Sequence, residues 1–76
     1  MSSKAFVLIE TAVGKTREVV DIIKKKDGVE SVNTVTGPFD IIAVIKRDSL
    51  SDIGDLVTSQ IHIVEGVSRT VTCLVI

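Results

Sequence analysis

The chain has little of what usually announces a chemistry. It carries one cysteine, Cys73, and one histidine, His62, in 76 residues. A single cysteine excludes an internal disulfide, and one residue of each type leaves no His/Cys set for a structural metal. Tryptophan and tyrosine are absent, and the only aromatics are Phe6 and Phe39. A surface that stacks bases would have almost nothing to stack them on. Neither sign of charge dominates: nine Lys+Arg against ten Asp+Glu give a formal net charge of −1. Proteins that grip nucleic acid need a basic excess to neutralise phosphates. The longest apolar runs, Ala5–Ile9 and Ile41–Ile45, fall far short of the roughly 18 residues a membrane helix needs. Met1-Ser2-Ser3-Lys4 lacks the layout of a signal peptide, which together with the lone thiol points to a reducing cytoplasm. There is no Walker loop, dinucleotide fingerprint, HExxH, nucleophile elbow or CxxC.

What is present is a compact hydrophobic pattern. Hydrophobic residues make up 45% of the chain and charged residues 25%, a globular balance. One domain spanning residues 1–76 is the expected count. A chain this short buries only about 60% of the surface its unfolded form exposes. Its own core is expected to supply no more than about 3–5 kcal/mol. With disulfide and metal excluded, oligomerisation is the expected support.

Residues 4–10 read as a strand apolar on both faces, followed by a turn through Gly14. From Lys15 to Lys26 the period changes to that of an amphipathic helix, with Val19, Val20 and Ile23 on one stripe. Lys24-Lys25-Lys26 falls in its last turn and Gly28 is its left-handed cap. Residues 29–36 suit an edge strand, Gly37-Pro38 a tight turn, and 39–46 a second strand apolar on both faces. Ser49 with Asp52 resembles a capping box and opens a second helix. Ile53, Leu56, Val57, Ile61 and Val64 carry that helix to Glu65-Gly66, and Val67 to Ile76 form the last strand.

The order is βαββαβ, and the two halves align at a shift of 38 residues, with Gly28-Val29 meeting Gly66-Val67. Two right-handed βαβ halves predict an α+β, ferredoxin-like fold. The expected sheet has four antiparallel strands in the order 4-1-3-2, with both helices on one face. The central strands are apolar on both sides, so an apolar set remains on the uncovered face. A soluble monomer seldom leaves such a patch in water, and a homodimer through the open sheet faces is expected.

Candidate chemistry concentrates at Gly37-Pro38-Phe39-Asp40. One reading is an ordinary hairpin turn with a polar neighbour. The other is a small polar site. Amides of Gly37, Phe39 and Asp40 would hold an anion and the Asp40 carboxylate an ammonium, which together suit a free α-amino acid. His62 reads as a solvated helix residue, since no nucleophile or carboxylate is spaced to orient it. Cys73 reads as a buried, inert thiol.

The run Val35-Thr36-Gly37-Pro38-Phe39-Asp40 resembles the effector domain of leucine-responsive regulatory protein/AsnC family regulators, called RAM. So do the Asp27-Gly28-Val29 and Glu65-Gly66-Val67 turns and the Arg69-Thr70-Val71-Thr72 segment. The resemblance spans roughly residues 4–76. It implies a non-enzymatic module that binds a free amino acid in crevices between dimers of a ring, an octamer or decamer. By position it assigns ligand contacts to Gly37, Phe39, Asp40, Thr70 and Thr72, with no metal, no cofactor and no catalytic residue. The family's helix-turn-helix has no counterpart in this sequence, so the resemblance implies a stand-alone domain without DNA binding of its own. Such a domain would act alone or co-assemble with full-length regulators. Phe39 stands where Tyr is commoner, which removes a hydroxyl. The alternatives are a small enzyme on a dimeric ferredoxin-like α+β barrel and an ACT-like amino-acid sensor.

Overall fold

The computed structural model describes residues 2–76. Strand β1 (Ser3–Thr11) leads to helix α1 (Thr16–Ile23), strands β2 (Val29–Thr34) and β3 (Ile41–Arg47), helix α2 (Leu50–Leu56) and strand β4 (Val67–Leu74). The sheet order is β2-β3-β1-β4, the expected 4-1-3-2 written from the other edge. All pairings are antiparallel.

Strand register decides which residues face the helices. Val7 pairs with Ala43 on one side and Thr72 on the other, and Ile9 pairs with Ile41 and Thr70. Directly opposed residues in an antiparallel pair share a face. Ala5, Val7 and Ile9 therefore line up with Ile41, Ala43 and Ile45, and all six are fully buried. Val19 and Ile23 from α1, with Ile53 and Leu56 from α2, close the core over them. The other face carries Phe6, Leu8, Ile42, Val44, Val71 and Cys73, with no helix above it. Phe6 is 41% exposed.

Four local expectations are corrected. Helix α1 ends at Ile23, so Lys24, Lys25 and Lys26 follow it rather than occupy its last turn. Lys25 and Lys26 donate their amides to Ile22 and Ile23, the tighter i+3 spacing that unwinds a helix end. Helix α2 does not run to Val64 as one α-helix. It widens into a π-helical segment, Val57–Ile61, closed by the His62 amide donating to the Val57 carbonyl at 2.9 Å. Cys73 is exposed rather than buried, because its register opposite Phe6 puts it on the open face. The two hairpin strands are also shorter than expected, β2 ending at Thr34 and β3 beginning at Ile41. Among the described residues, no helix is long and apolar enough to cross a membrane.

Candidate functional site

Asp40 sits where β1 ends and β3 begins. Its amide donates to the Ile9 carbonyl at 2.9 Å, and its carbonyl accepts from the Val35 amide at 2.8 Å. The Asp40 amide is therefore committed to the sheet and is not free to hold an anion, as the sequence suggested. The amides of Gly37 and Phe39 have no protein partner among the described residues. Gly37 has φ +133°, a conformation that L side chains rarely adopt.

The Asp40 carboxylate is half engaged. Its Oδ2 accepts from the Thr11 amide at 2.9 Å and from the Thr11 hydroxyl at 3.3 Å. Thr11 and Thr16 hydroxyl oxygens lie 2.7 Å apart. Since the Thr11 proton points to Asp40, the Thr16 hydroxyl donates to Thr11. This chain ties β3 to the β1–α1 corner. Oδ1 of Asp40 has no hydrogen-bond partner among the described residues. Beside it, Phe39 is partly buried and the Arg69 guanidinium stacks 5.0 Å from its ring centroid. Arg69 is cross-strand from Glu10, so the stack pins the turn onto β4, two strands away.

The last-strand threonines lie elsewhere. Thr70 and Thr72 are on the helix side of β4, the edge strand. The Thr70 hydroxyl is hydrogen-bonded to His62 Nε2. Thr72 lines a groove of about 280 Å³ between α2 and β4, with Leu50, Ile53, Gly54, Val57, Thr58 and Leu74. Thr72 is two strands across and three residues along from Asp40. At about 4.8 Å per strand and 3.3 Å per residue that is roughly 14 Å. The structure thus brings Gly37, Phe39 and Asp40 together at one sheet end, places Thr70 on β4 directly after Arg69, which stacks on Phe39, and sets Thr72 further along the strand.

Thr11, Thr16 and the α2 side of the groove escaped the sequence reading, which named Arg69 only as part of the Arg69–Thr72 segment and not as a partner of Phe39. The position of Thr11 at the end of an apolar central strand was the available signal. A larger, polar cavity of about 430 Å³ lies at the opposite sheet end between Asp27, Lys46, Arg47, Asp48 and Asp52, and holds none of the predicted site residues.

The model of the Lrp/AsnC ligand-binding domain matches residues 4–76. The chain belongs to this family. Among solved structures, the Lrp/AsnC domain is similar to TTHA0845 from Thermus thermophilus, with 34% identity and a TM-score of 0.93 over 97% of this chain and 92% of that one. It is equally close in shape to FFRP-DM1, with 31% identity, a TM-score of 0.93, and coverage of 97% of this chain and 99% of that one. A transcriptional regulator of Neisseria meningitidis, solved with L-Met, shares the fold at 18% identity and a TM-score of 0.87. There the similarity covers 97% of this Lrp/AsnC domain and 49% of the regulator. No curated protein matches the chain.

Proposed function

We propose that this Lrp/AsnC domain is an amino-acid-binding regulatory and oligomerisation module. The observation that carries the reading is the half-engaged Asp40 carboxylate, whose Oδ1, like the amides of Gly37 and Phe39 beside it, has no hydrogen-bond partner among the described residues. An ammonium on Oδ1 and a carboxylate on the two amides would complete a site for an α-amino acid. The L-Met bound to the Neisseria regulator fits the same ligand class.

Between backbones, Asp40 and Thr72 lie roughly 14 Å apart on one sheet. In this reading the Gly37–Asp40 turn and the Thr70/Thr72 wall that face one ligand come from different copies of the chain. Dimers stacking through their open faces, and rings of four or five such dimers, provide that arrangement. The role in this reading is regulatory and not enzymatic: His62 is hydrogen-bonded to the Thr70 hydroxyl, and among the described residues no carboxylate is bonded to its ring to orient it as a base. With a net charge of −1, contact with DNA falls to full-length regulators that co-assemble with the domain, in the cytoplasm.

Asp40→Asn tests the site. Asparagine retains an oxygen for the Thr11 amide and removes the charge. Losing one partner of a desolvated ion pair costs roughly 2–5 kcal/mol, or about 30- to several-thousand-fold in affinity. A thermal-shift screen over the free amino acids, followed by calorimetry, should show binding that Asp40→Asn abolishes with the melting temperature of the unliganded protein little changed. Parental affinity in Asp40→Asn would make Asp40 purely structural.

A further inference from the structure

The open sheet face carries charge at both ends, and the two ends differ in sign. Lys4, Phe6, Leu8 and Glu10 alternate along β1 on that face, and Val44 and Lys46 of β3 lie opposite Phe6 and Lys4. Lys4 and Lys46 are thus directly opposed, a like-charge pair that destabilises a sheet. Both are exposed, and neither has an ion-pair partner among the described residues. Asp27, Asp48 and Asp52, which share the polar cavity with Lys46, sit in turns and in α2, off the face.

The other end is acidic. Glu10 closes the β1 row and has no ion-pair partner among the described residues either. Arg69 lies directly opposite it but turns its guanidinium to the Phe39 ring. Lys4 and Glu10 are separated along β1 by about 20 Å, at about 3.3 Å per residue, so they do not pair within one chain. Between them the face is apolar. A single chain therefore presents an unpaired cationic end, an apolar middle and an unpaired acidic end.

That pattern is complementary to itself in only one arrangement. Packed sheets keep their strand directions aligned within about 30°. A two-fold axis between two such faces runs either along the strands or across them. Along the strands, it stacks Lys4 and Lys46 on the same two residues of the other copy, four ammoniums together. Across the strands, at the level of Val7, it lays β1 over β1 in reverse. Lys4 and Glu10 are equally far from Val7 along the strand, so each Lys4 comes over the partner's Glu10. Lys46 is then one strand, about 4.8 Å, to the side, and Phe6 comes over the partner's Leu8.

We propose that the open face recognises a second copy of this chain in the reversed sense, with Lys4 and Lys46 of each copy meeting the partner's Glu10. The inference rests on the oligomerisation half of the reading above and adds which way round the two copies face. Apolar burial favours either sense. The charges decide between them, because juxtaposed like charges are rejected.

Carbodiimide coupling tests the contact in the parent protein, since it joins an ammonium to a carboxylate only where they touch. In a mixture of unlabelled and isotope-labelled chains, it should give Lys4–Glu10 or Lys46–Glu10 amides that combine the two labels. Lys4→Glu together with Lys46→Glu should raise the dimer dissociation constant by at least about tenfold, and so should Glu10→Lys. All three substitutions in one chain restore opposite signs and should return the constant to within about threefold of the parent. Both losses should shrink at about 1 M salt. With the axis along the strands, no Lys–Glu amide would form, and each reversal would only exchange one like-charge cluster for another. A missing amide, unchanged dissociation constants, or a triple variant that fails to recover would overturn the arrangement and leave the dimer standing. A folded, monomeric parent would overturn the arrangement and the dimer together.

Discussion

At the scale of single residues, the two halves of the chain use glycine in the same way but at different cost. Gly28 and Gly66 end the two matching turns with φ +94° and +102°, a conformation that costs an L-residue about 1–2 kcal/mol. Their surroundings differ. A Cβ at Gly28 would meet the flexible Arg47 side chain, with Cδ at 2.7 Å, which can swing away. At Gly66 it would meet the Lys15 Cβ at 2.8 Å and Val19 Cγ2 at 3.1 Å, next to the helix backbone and the core. Gly66→Ala should therefore cost more than Gly28→Ala, about 2–4 kcal/mol against 1–2, measured as urea midpoints. Equal costs would mean that α1 gives way at Lys15. These glycines were legible because Asp-Gly and Glu-Gly before a β-branched run are local signals. The commitment of the Asp40 amide was not, since its acceptor, Ile9, is 31 residues away and met only through strand register.

At the scale of elements, the second helix shows how far periodicity reaches. Ser49 caps it as expected: its hydroxyl accepts from the Asp52 amide at 3.1 Å, and Ser49 itself is extended at φ −144°. Ser49→Ala should lower stability by about 1 kcal/mol, with the loss seen equally in the far-UV CD melt and in denaturant midpoints. No change would mean that the α2 start is held by packing of Ile53 alone. The first helix has no side-chain cap and offers no such lever. The helix interior was legible only in part. Ile53, Leu56, Val57, Ile61 and Val64 are all buried, so the apolar stripe identified the right face. The π segment inside it was not legible, because one extra residue per turn shifts the stripe by less than the width of the buried face. The groove beside α2 went unread for the same reason: it exists where helix and edge strand separate, and spacing along one chain carries no information about that gap.

At the scale of the whole molecule, the open sheet face sets the terms. Leu8 pairs with Ile42 on one side and Val71 on the other, placing it at the centre of an apolar face that includes Phe6 and Val44. Val71 is 38% exposed and Phe6 41% in the single chain. A domain with one short core has only about 3–5 kcal/mol to lose. At roughly 25 cal/mol per Å², covering a few hundred Å² of this face would match that. We therefore expect light scattering at micromolar concentration to give a multiple of the 8.2 kDa chain mass. Leu8→Lys would put an ammonium at the centre of the face, between its apolar cross-strand neighbours Ile42 and Val71. It should leave the helix-side core intact and yield an 8.2 kDa species of lower melting temperature. On the proposed reading, in which the Asp40 turn and the Thr72 wall meet one ligand across copies, Leu8→Lys should also lose amino-acid binding, although Leu8 touches neither the turn nor the groove. A parent that runs as a folded monomer would remove the basis for the dimer. A monomeric Leu8→Lys that binds amino acid as tightly as the parent would place the whole site within one chain.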